Sequence, residues 1–296
     1  MKKKFWLFLF LLILCGVLVL IFIKFDFVKK DDNDTIVNHT YYDNSKSSIV
    51  MDVTTKRVLY QNNIHERMLP ASTTKILTCI TAIEHYQLDD FVVINSDVLK
   101  TEGSSIYLEV GDVISIKDLL YGLMLCSGND AANALALHYS GNMQDFIFLM
   151  NETAKKIGMY DSTFENPHGL DTTTKNYTTT YDMALLMSYA MKNETFKTIT
   201  STKDYHPTII SGKKMYYHNK HRLIQSDEKV TGGKTGYTKN AKRTLVTSFK
   251  QEDFEIVVVT FNCSDDWNVH EGLANYCFDK YKPVSYTHLT LPTILR

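Results

Sequence analysis

The sequence carries almost no net charge and has few of the residues that build disulfides or metal sites. Its 32 lysines and arginines face 33 aspartates and glutamates, so the formal net charge is −1. Such a chain has no basic surface for nucleic acid, which we exclude as a partner. Five cysteines in 296 residues form no disulfide framework, and only Cys263 and Cys277 are left as a candidate pair. No cysteine or histidine spacing is typical of a metal site, so we expect neither a metal nor another cofactor.

One long uncharged run stands out from an otherwise ordinary globular composition. Residues 5–23 are apolar throughout and follow Lys2, Lys3 and Lys4. As a helix, the run reaches roughly 28 Å, close to the hydrocarbon core of a bilayer. The lysines favour a cytoplasmic amino terminus. Because no A-x-A-like cleavage site follows, we favour an uncleaved anchor in residues 1–23 over a removed signal peptide. The rest of the chain is then expected on the outer side of a bacterial cell membrane.

The remaining chain divides into a tether, a domain and a foreign tail. Residues 24–47 are polar and aperiodic, as expected of a linker. Residues 48–283 contain the patterned segments and predict one domain. The stretch "VSYTHLTLPT" at 284–293 is what one reading frame of a widely used transposon-end sequencing adapter encodes. We therefore interpret residues 284–296 as a sequencing artefact and exclude them from the fold.

The patterned region begins and ends with strands. "SSIVMDV" and "RVLYQ" predict a hairpin, and "RTLVTSF" and "FEIVVVTF" predict two later strands before a last amphipathic helix. Helical signals dominate from residue 72 to about residue 190. Strands from both ends of the domain around a helical middle predict an α+β fold with one sheet.

A serine and a lysine stand three positions apart in "PASTTK". Ser72 and Lys75 open the apolar run "ILTCITAI", so the spacing predicts that they share one face at a helix amino terminus. There the lysine can reach the serine hydroxyl and act as its base. The same spacing at Ser211 and Lys214 lies in a polar turn with no helix behind it. An isolated pair of this kind is usually a helix cap with a solvated lysine, so the context must decide.

Two further motifs supply that context. In "CSGND", Ser127 and Asn129 lie between the apolar stretch "LLYGLML" and the helix-like "DAANALALH", which predicts a tight junction that points into a cleft. A second Ser-Gly-Asn at Ser140 follows a helix, where Gly141 is an ordinary C-terminal cap. The third motif is "GGKTGYT", in which Lys234 precedes a strand. Glycines beside a lysine and a hydroxyl suit the approach of an extended peptide and its carboxylate, although a plain hairpin turn has the same composition.

Together and in this order, the three motifs resemble the active-site set of penicillin-recognising serine enzymes. The stretches "LPASTTKILT", "DLLYGLMLCSGNDAANALA", "MNETAKKIGMYDSTFENPHGLD", "TTTYDMALLMSYAM" and "GGKTGYTKNAKRTLVTS" are similar to the low-molecular-mass D-alanyl-D-alanine carboxypeptidases, serine peptidases of the S11 type. The resemblance covers about residues 45 to 282. It implies a β-lactamase/transpeptidase-like α+β fold, with a mostly antiparallel sheet flanked by helices and a helical subdomain beside the site.

The resemblance also implies catalytic roles. Ser72 would be the nucleophile that a D-Ala-D-Ala stem peptide of peptidoglycan or a β-lactam acylates. Lys75 would be its base, which requires a neutral amine. Ser127 would relay a proton to or from the leaving group. The backbone N–H groups of Ser72 and Tyr237 would form the oxyanion hole.

Binding roles are implied at five more positions. Asn129 would bind the peptide backbone, and Lys234 with Thr235 and Gly236 would hold the terminal carboxylate. His168, in "NPHGL", matches a family position beside the site. A loop histidine with a structural hydrogen bond explains it equally well.

Two other functions stay open at this point. A class A β-lactamase shares the three motifs and adds a glutamate-positioned water. Glu165 is present in the corresponding loop, but the surrounding E-x-x-L-N pattern is missing. A non-catalytic, membrane-tethered domain that binds cell wall or penicillin is the alternative from another class, and the intact serines and lysines argue against it.

Overall fold

The computed structural model describes residues 43–210 and 212–281. These residues belong to one of the two units into which the chain divides, His39–Arg296. The predicted anchor, most of the predicted linker, Ser211 and the tail at 284–296 lie outside the described residues. Among the residues that are described, no helix has both the length and the apolar character needed to cross a bilayer.

A five-stranded antiparallel sheet joins the two ends of the domain, as predicted. Its strand order is β2-β1-β9-β8-β7. The expected hairpin is confirmed, since the first two strands pair with Val50 opposite Tyr60. Two smaller antiparallel pairs, β3 with β4 and β5 with β6, complete the described strands. The strands are β1 (Ser47–Asp52), β2 (Val58–Asn62), β3 (Phe91–Val93), β4 (Val113–Ser115), β5 (Asp204–Tyr205), β6 (Tyr217–His218), β7 (Val230–Thr238), β8 (Lys242–Gln251) and β9 (Phe254–Phe261).

Helices cover both faces of the large sheet. The predicted last helix packs on one face, and the longer helical middle packs on the other. The described helices are α1 (Lys75–His85), α2 (Ile116–Tyr121), α3 (Asn129–Ser140), α4 (Met143–Ile157), α5 (Thr180–Ala190), α6 (Glu194–Ser201), α7 (Arg222–Ser226) and α8 (Asp266–Lys280). A 3-10 turn, Ala71–Thr74, precedes α1, and a π turn, Gly122–Cys126, follows α2.

Strand β9 explains why the core is divided in two. Its residues alternate between the faces of the sheet, so Val257 and Val259 join the cluster under the helical middle, whereas Ile256 and Val258 join the cluster under α8. All four are fully buried. A strand that is buried on both faces reads as a continuous run of β-branched residues, which is what "IVVV" is.

The small β3–β4 pair was not predicted from the sequence. Its strands have three residues each, and only Val92 and Ile114 are buried, so an alternating pattern has no length over which to repeat. The four described cysteines, Cys79, Cys126, Cys263 and Cys277, are all free thiols. The candidate pair of Cys263 and Cys277 is therefore not bonded, and both side chains are buried as core fillers.

Candidate active site

Ser72 lies in the 3-10 turn at the amino terminus of α1, where the sequence pattern predicted a helix start. The carbonyl of Pro70 fixes the turn, because it accepts hydrogen bonds from the hydroxyls of Thr73, at 2.7 Å, and Thr244, at 2.9 Å. The second bond ties the turn to strand β8. Ala71 takes a left-handed backbone conformation with φ 51°. The turn thus holds the Ser72 backbone N–H at a helix end, where negative charge is stabilised.

Lys75 is completely buried, and its amine contacts Ser72. The Nζ atom lies 3.1 Å from Ser72 Oγ, 2.7 Å from Asn129 Oδ1 and 2.7 Å from the carbonyl oxygen of His168. A neutral amine has two hydrogens and one lone pair. The two short bonds to oxygen acceptors use the hydrogens, which leaves the lone pair to accept the Ser72 hydroxyl proton. This is the geometry that a serine nucleophile with a lysine base requires.

Electrostatics favours that neutral form. Burial lowers the pKa of Lys75 well below its ordinary value, and the positive charges of Lys234 and Lys220 lower it further, against a smaller opposing effect of Asp130. Two lysines, Lys234 and Lys220, thus lower the pKa of the base in addition to burial. Lys220 lies in "YHNKHRLI", and neither periodicity nor motif marks it in the sequence as part of a site.

Ser127 and Asn129 follow the π turn, and the predicted tight junction is present. Ser127 takes a left-handed conformation with φ 63° and ψ 33°, and α3 starts two residues later. The Ser127 hydroxyl has no hydrogen-bond partner among the described residues, so it remains available to a substrate. The Asn129 side chain accepts from Lys75 and donates to the carbonyl of Glu102 at 2.6 Å. Asn129 thus holds the Lys75 amine, and its second amide N–H could still donate to a bound peptide. The second Ser-Gly-Asn motif starts at Ser140, the last residue of α3, and Gly141 follows as a left-handed C-terminal cap.

The "GGKTGYT" motif is a strand and not a hairpin turn. It forms most of β7, which is the edge strand of the large sheet. Gly236 allows this edge to approach the nucleophile, because a Cβ there would lie 2.3 Å from Thr244 Oγ1 and 2.9 Å from the backbone nitrogen of Ser72. Tyr237 pairs with Arg243 on β8 and is 63% exposed. The outer edge of β7 can therefore receive an extended peptide beside Ser72.

Lys234 is almost fully buried on this strand. Its Nζ donates to the carbonyl oxygen of Thr235 at 2.9 Å. Burial lowers the pKa of Lys234 to about 7, and the charge of Lys220 contributes in the same direction. A bound carboxylate would favour the charged form of this lysine. The position therefore suits an anion-binding cation that gains its full charge when the anion arrives.

A buried chain of hydrogen bonds supports β7 from behind. The Thr247 hydroxyl lies 3.0 Å from His221 Nε2 and 2.8 Å from His270 Nδ1, and His270 Nε2 lies 3.0 Å from Thr260 Oγ1. Burial lowers the pKa of His221 to about 3, so its ring is neutral. Its Nδ1 is buried without a partner among the described residues. A buried nitrogen acceptor without a hydrogen bond costs less free energy than a buried N–H without one. We therefore place the hydrogen on Nε2, which donates to Thr247.

His221 packs directly under β7 at Gly233. A Cβ at Gly233 would lie 2.5 Å from His221 Nε2, so only glycine fits between the ring and the strand. On the same residue, Thr200 Oγ1 accepts from the Gly233 N–H and donates to the Gly233 carbonyl, both at 3.0 Å. These contacts fix the backbone immediately before Lys234. Nothing in the sequence pattern indicated them.

His168 contributes its backbone to the site. Its carbonyl binds Lys75, while its ring Nδ1 accepts from the Leu170 N–H at 3.1 Å. Burial, with a smaller effect of the Lys75 charge, lowers the pKa of His168 to about 3. The ring is therefore neutral and carries its hydrogen on Nε2. His168 therefore forms a hydrogen bond within its loop through the ring and contacts the Lys75 amine through its backbone carbonyl.

Glu165, the residue that a β-lactamase reading requires, is engaged elsewhere. It is exposed, and its carboxylate accepts from the backbone N–H of Lys175 at 2.9 Å. None of the three hydrogen bonds of the Lys75 amine involves it. The loop that carries Glu165 thus presents the carbonyl of His168 to the base, and not a carboxylate.

Gly169 offers a direct test of this loop. Its φ is +89°, and a Cβ there would lie 1.8 Å from the carbonyl oxygen of Ala71. Gly141 has a similar φ of +76° with nothing within 4 Å. We expect Gly141→Ala to cost about 1 kcal/mol of unfolding free energy, from backbone strain alone. Gly169→Ala should cost about 3 kcal/mol or more, because backbone atoms must also move. Urea unfolding of the two variants measures the difference. Equal losses would show that the contact between Gly169 and Ala71 is not rigid.

Comparison with known proteins places this site in a family. The family whose model matches residues 35–265 is Peptidase_S11, D-alanyl-D-alanine carboxypeptidase. The D-alanyl-D-alanine carboxypeptidase DacF of Bacillus subtilis is 35% identical over 259 residues, which cover 85% of this chain and 65% of DacF. DacC of Escherichia coli is 34% identical over 256 residues, which cover 81% of this chain and 63% of DacC. The chain thus spans just under two thirds of the length of these relatives.

Comparison with solved structures supports the same family. The crystal structure of D-alanyl-D-alanine carboxypeptidase from Mycobacterium tuberculosis H37Rv matches with a TM-score of 0.78 and 27% identity, over 83% of this chain and 95% of that chain. The Streptomyces K15 DD-transpeptidase matches with a TM-score of 0.77 and 29% identity, over 82% of this chain and 100% of that chain. The predicted transpeptidase-like α+β fold, with its antiparallel sheet and helices, is confirmed. The chain belongs to the D-alanyl-D-alanine carboxypeptidase family of serine peptidases, S11.

Proposed function

We propose that this protein is a serine-type D-Ala-D-Ala carboxypeptidase, which removes the terminal D-alanine from peptidoglycan stem peptides. The observation that carries the proposal is the buried Lys75 amine, 3.1 Å from the Ser72 hydroxyl. Its other two short contacts are to oxygen acceptors, so its lone pair is directed at the serine. Relatives that bear the carboxypeptidase name support the same reaction.

Acylation follows from this arrangement. Lys75 takes the hydroxyl proton of Ser72 as Oγ attacks the carbonyl carbon of the penultimate D-alanine. The developing negative oxygen is stabilised by the backbone N–H groups of Ser72 and Tyr237. As the C–N bond breaks, the Ser127 hydroxyl passes its proton to the departing amine and takes up the proton that Lys75 had accepted, so Lys75 is neutral again. D-alanine leaves, and the peptide remains bound to Ser72 as an ester.

Deacylation uses the same groups in reverse. Lys75 takes a proton from a water molecule that attacks the ester carbonyl, and the Ser72 oxygen regains a proton as the acid product leaves. The hydrogen bonds that Lys75 donates to Asn129 Oδ1 and to the carbonyl oxygen of His168 hold its amine in place during both steps. A β-lactam acylates Ser72 in the same way, but its opened ring stays attached and leaves no free product.

Charge explains how the substrate is held. Lys234, with Thr235 and Gly236 on the edge strand, binds the terminal carboxylate of D-Ala-D-Ala. The pKa of Lys234 is held near 7 by burial, and an incoming carboxylate raises it, so binding takes up a proton at neutral pH. Lys220 adds a second positive charge at this end of the cleft.

Labelling with a fluorescent penicillin tests the nucleophile. We expect covalent labelling of the wild-type protein at Ser72, located by mass spectrometry of the labelled peptide. Ser72→Ala should abolish both labelling and D-alanine release. Lys75→Ala should lower the acylation rate by about 10²- to 10⁴-fold, the range for loss of a general base.

Three other results would contradict this proposal, and each points to a different alternative. Labelling that survives in Ser72→Ala but is lost in Ser211→Ala would place the nucleophile at the other Ser-x-x-Lys pair. Reversible binding of penicillin without labelling would favour a non-catalytic binding domain. Fast turnover of penicillin would favour a β-lactamase, with Glu165 as the next residue to replace.

The pH dependence of acylation tests the role of Lys220. Acylation needs neutral Lys75, so the rate should rise with pH through the lowered pKa of this lysine. Lys220→Gln removes a positive charge that lowers the pKa of Lys75, so the rising limb should move to higher pH. Lys220→Arg keeps the charge and should leave the limb in place. The acylation rate by penicillin, measured from pH 5 to 10, reports the limb. An unchanged limb in Lys220→Gln would show that Lys220 does not influence the base.

We also propose that residues 5–23 hold the catalytic domain at the outer face of a bacterial cell membrane. The proposal rests on the apolar run and the lysines before it. The protein should stay in the membrane fraction after high-salt and alkaline washing, and an external protease should cut beyond about residue 45. Release into the medium with a new amino terminus near residue 25 to 30 would instead indicate a cleaved signal peptide.

A further inference from the structure

One buried histidine lies next to the backbones of both lysines at the carboxylate end of the cleft. His221 follows Lys220 in the chain, and its ring packs under Gly233, the residue before Lys234. The histidine is only 1% exposed, and the proposed reaction gives it no role. Its contacts therefore bear on where both lysine backbones lie.

The ring of His221 binds the pair of strands that carries Lys234. Nε2 donates to Thr247 on β8 at 3.0 Å, and Thr247 is the residue that pairs with Gly233 on β7. The same Nε2 would lie 2.5 Å from a Cβ at Gly233, so the ring contacts both strands at one register position. A shift of the ring would therefore move the β7 backbone immediately before Lys234.

The backbone around His221 fixes Lys220. The His221 N–H donates to Asn219 Oδ1 at 3.0 Å. The Lys220 N–H donates to the carbonyl of Leu125, in the π turn, at 3.1 Å. Asn219 and His221 are buried, whereas Lys220 between them is exposed, and its amine lies 3.4 Å from Ser104 Oγ. Burial of both neighbours thus fixes the direction in which the Lys220 side chain leaves the backbone.

Only one nitrogen of the His221 ring takes part in these contacts. Nδ1 is buried and has no partner among the described residues. A side chain that carries its amide at the Nδ1 position could not reach Thr247, whereas one that carries it at the Nε2 position could donate as the ring does. Asparagine and glutamine differ in this respect, because their side chains end at the Nδ1 and the Nε2 position, respectively.

We propose that His221 is a positioning residue that places Lys234 and Lys220 together for the terminal carboxylate of the substrate. The inference rests on the proposed carboxypeptidase function. It adds that one buried side chain sets both cations, so a change in that side chain affects recognition of the carboxylate more than the chemistry at Ser72. Among its described hydrogen bonds, His221 has none to Ser72 or Lys75, so its role is indirect.

Acylation by benzylpenicillin and by its methyl ester, which lacks the carboxylate, tests this role. The ratio of the two second-order rate constants measures what the carboxylate contributes, and the wild-type protein should favour the acid. His221→Asn removes the donor to Thr247 and should lower the ratio about fivefold to tenfold, mainly through slower reaction with the acid. His221→Gln keeps a donor at the Nε2 position and should retain most of the ratio. Thr247→Val removes the same hydrogen bond from the other partner, so it should lower the ratio even if His221→Asn folds poorly.

Tyr86→Phe is the matched control. It removes a hydrogen bond of 2.7 Å from the Tyr86 hydroxyl to the carbonyl of Leu135, which involves no residue of β7, β8 or the 219–221 segment. Its ratio should equal that of the wild-type protein. Equal losses with the acid and the ester in His221→Asn and Thr247→Val would overturn the positioning role, because they would indicate a general loss of structure. Failure of either compound to acylate the wild-type protein at Ser72 would instead overturn the carboxypeptidase proposal, and the role of His221 with it.

Discussion

The complete burial of the Lys75 amine is the constraint on which the site depends. A charged ammonium in such a place costs several kcal/mol unless it is paired, and no described carboxylate bonds to it. The amine is therefore pushed toward its neutral form, and its two hydrogens are taken by the oxygens of Asn129 and His168. What remains is a lone pair beside Ser72. The 3-10 turn, the π turn and the 168–174 loop bring Ser72, Asn129 and His168, respectively, to the lysine.

Three glycines let the elements come close enough for this. Gly169 lies against the carbonyl of Ala71, Gly236 against the backbone of Ser72, and Gly233 against the ring of His221. In each case a Cβ would stand less than 3 Å from the neighbouring atoms. The catalytic turn is thus confined between a loop and the edge strand, and the edge strand is confined between the turn and the buried histidines. Close backbone contact at these glycines thus contributes to the precise placement of Lys234 and Lys75.

Much of this could be read from the sequence because the information was local. The Ser72 helix start, the Ser127 junction, the Gly141 cap and the two-ended sheet each follow from a few neighbouring residues or from a repeating pattern. The parts that were missed join distant segments. Lys220 resembles any surface lysine, the His221–Thr247–His270 chain links three elements, and Glu102 acts on Asn129 through a backbone carbonyl that has no sequence signature. Local patterns predict elements, but long-range polar contacts depend on how the elements pack.

Two lysines, Lys234 and Lys220, lower the pKa of Lys75, and the second matters when a carboxylate binds to the first. The positive charge of Lys234 helps to keep Lys75 neutral, yet a substrate carboxylate bound to Lys234 would cancel that help at the moment the base is needed. Lys220 acts on both lysines in the same direction. With the carboxylate bound, one net positive charge still remains at this end of the cleft. In the proposed reaction, the pKa of Lys75 would thereby stay low through acylation, and burial, its largest cause, would become stronger as a substrate excludes water from the cleft.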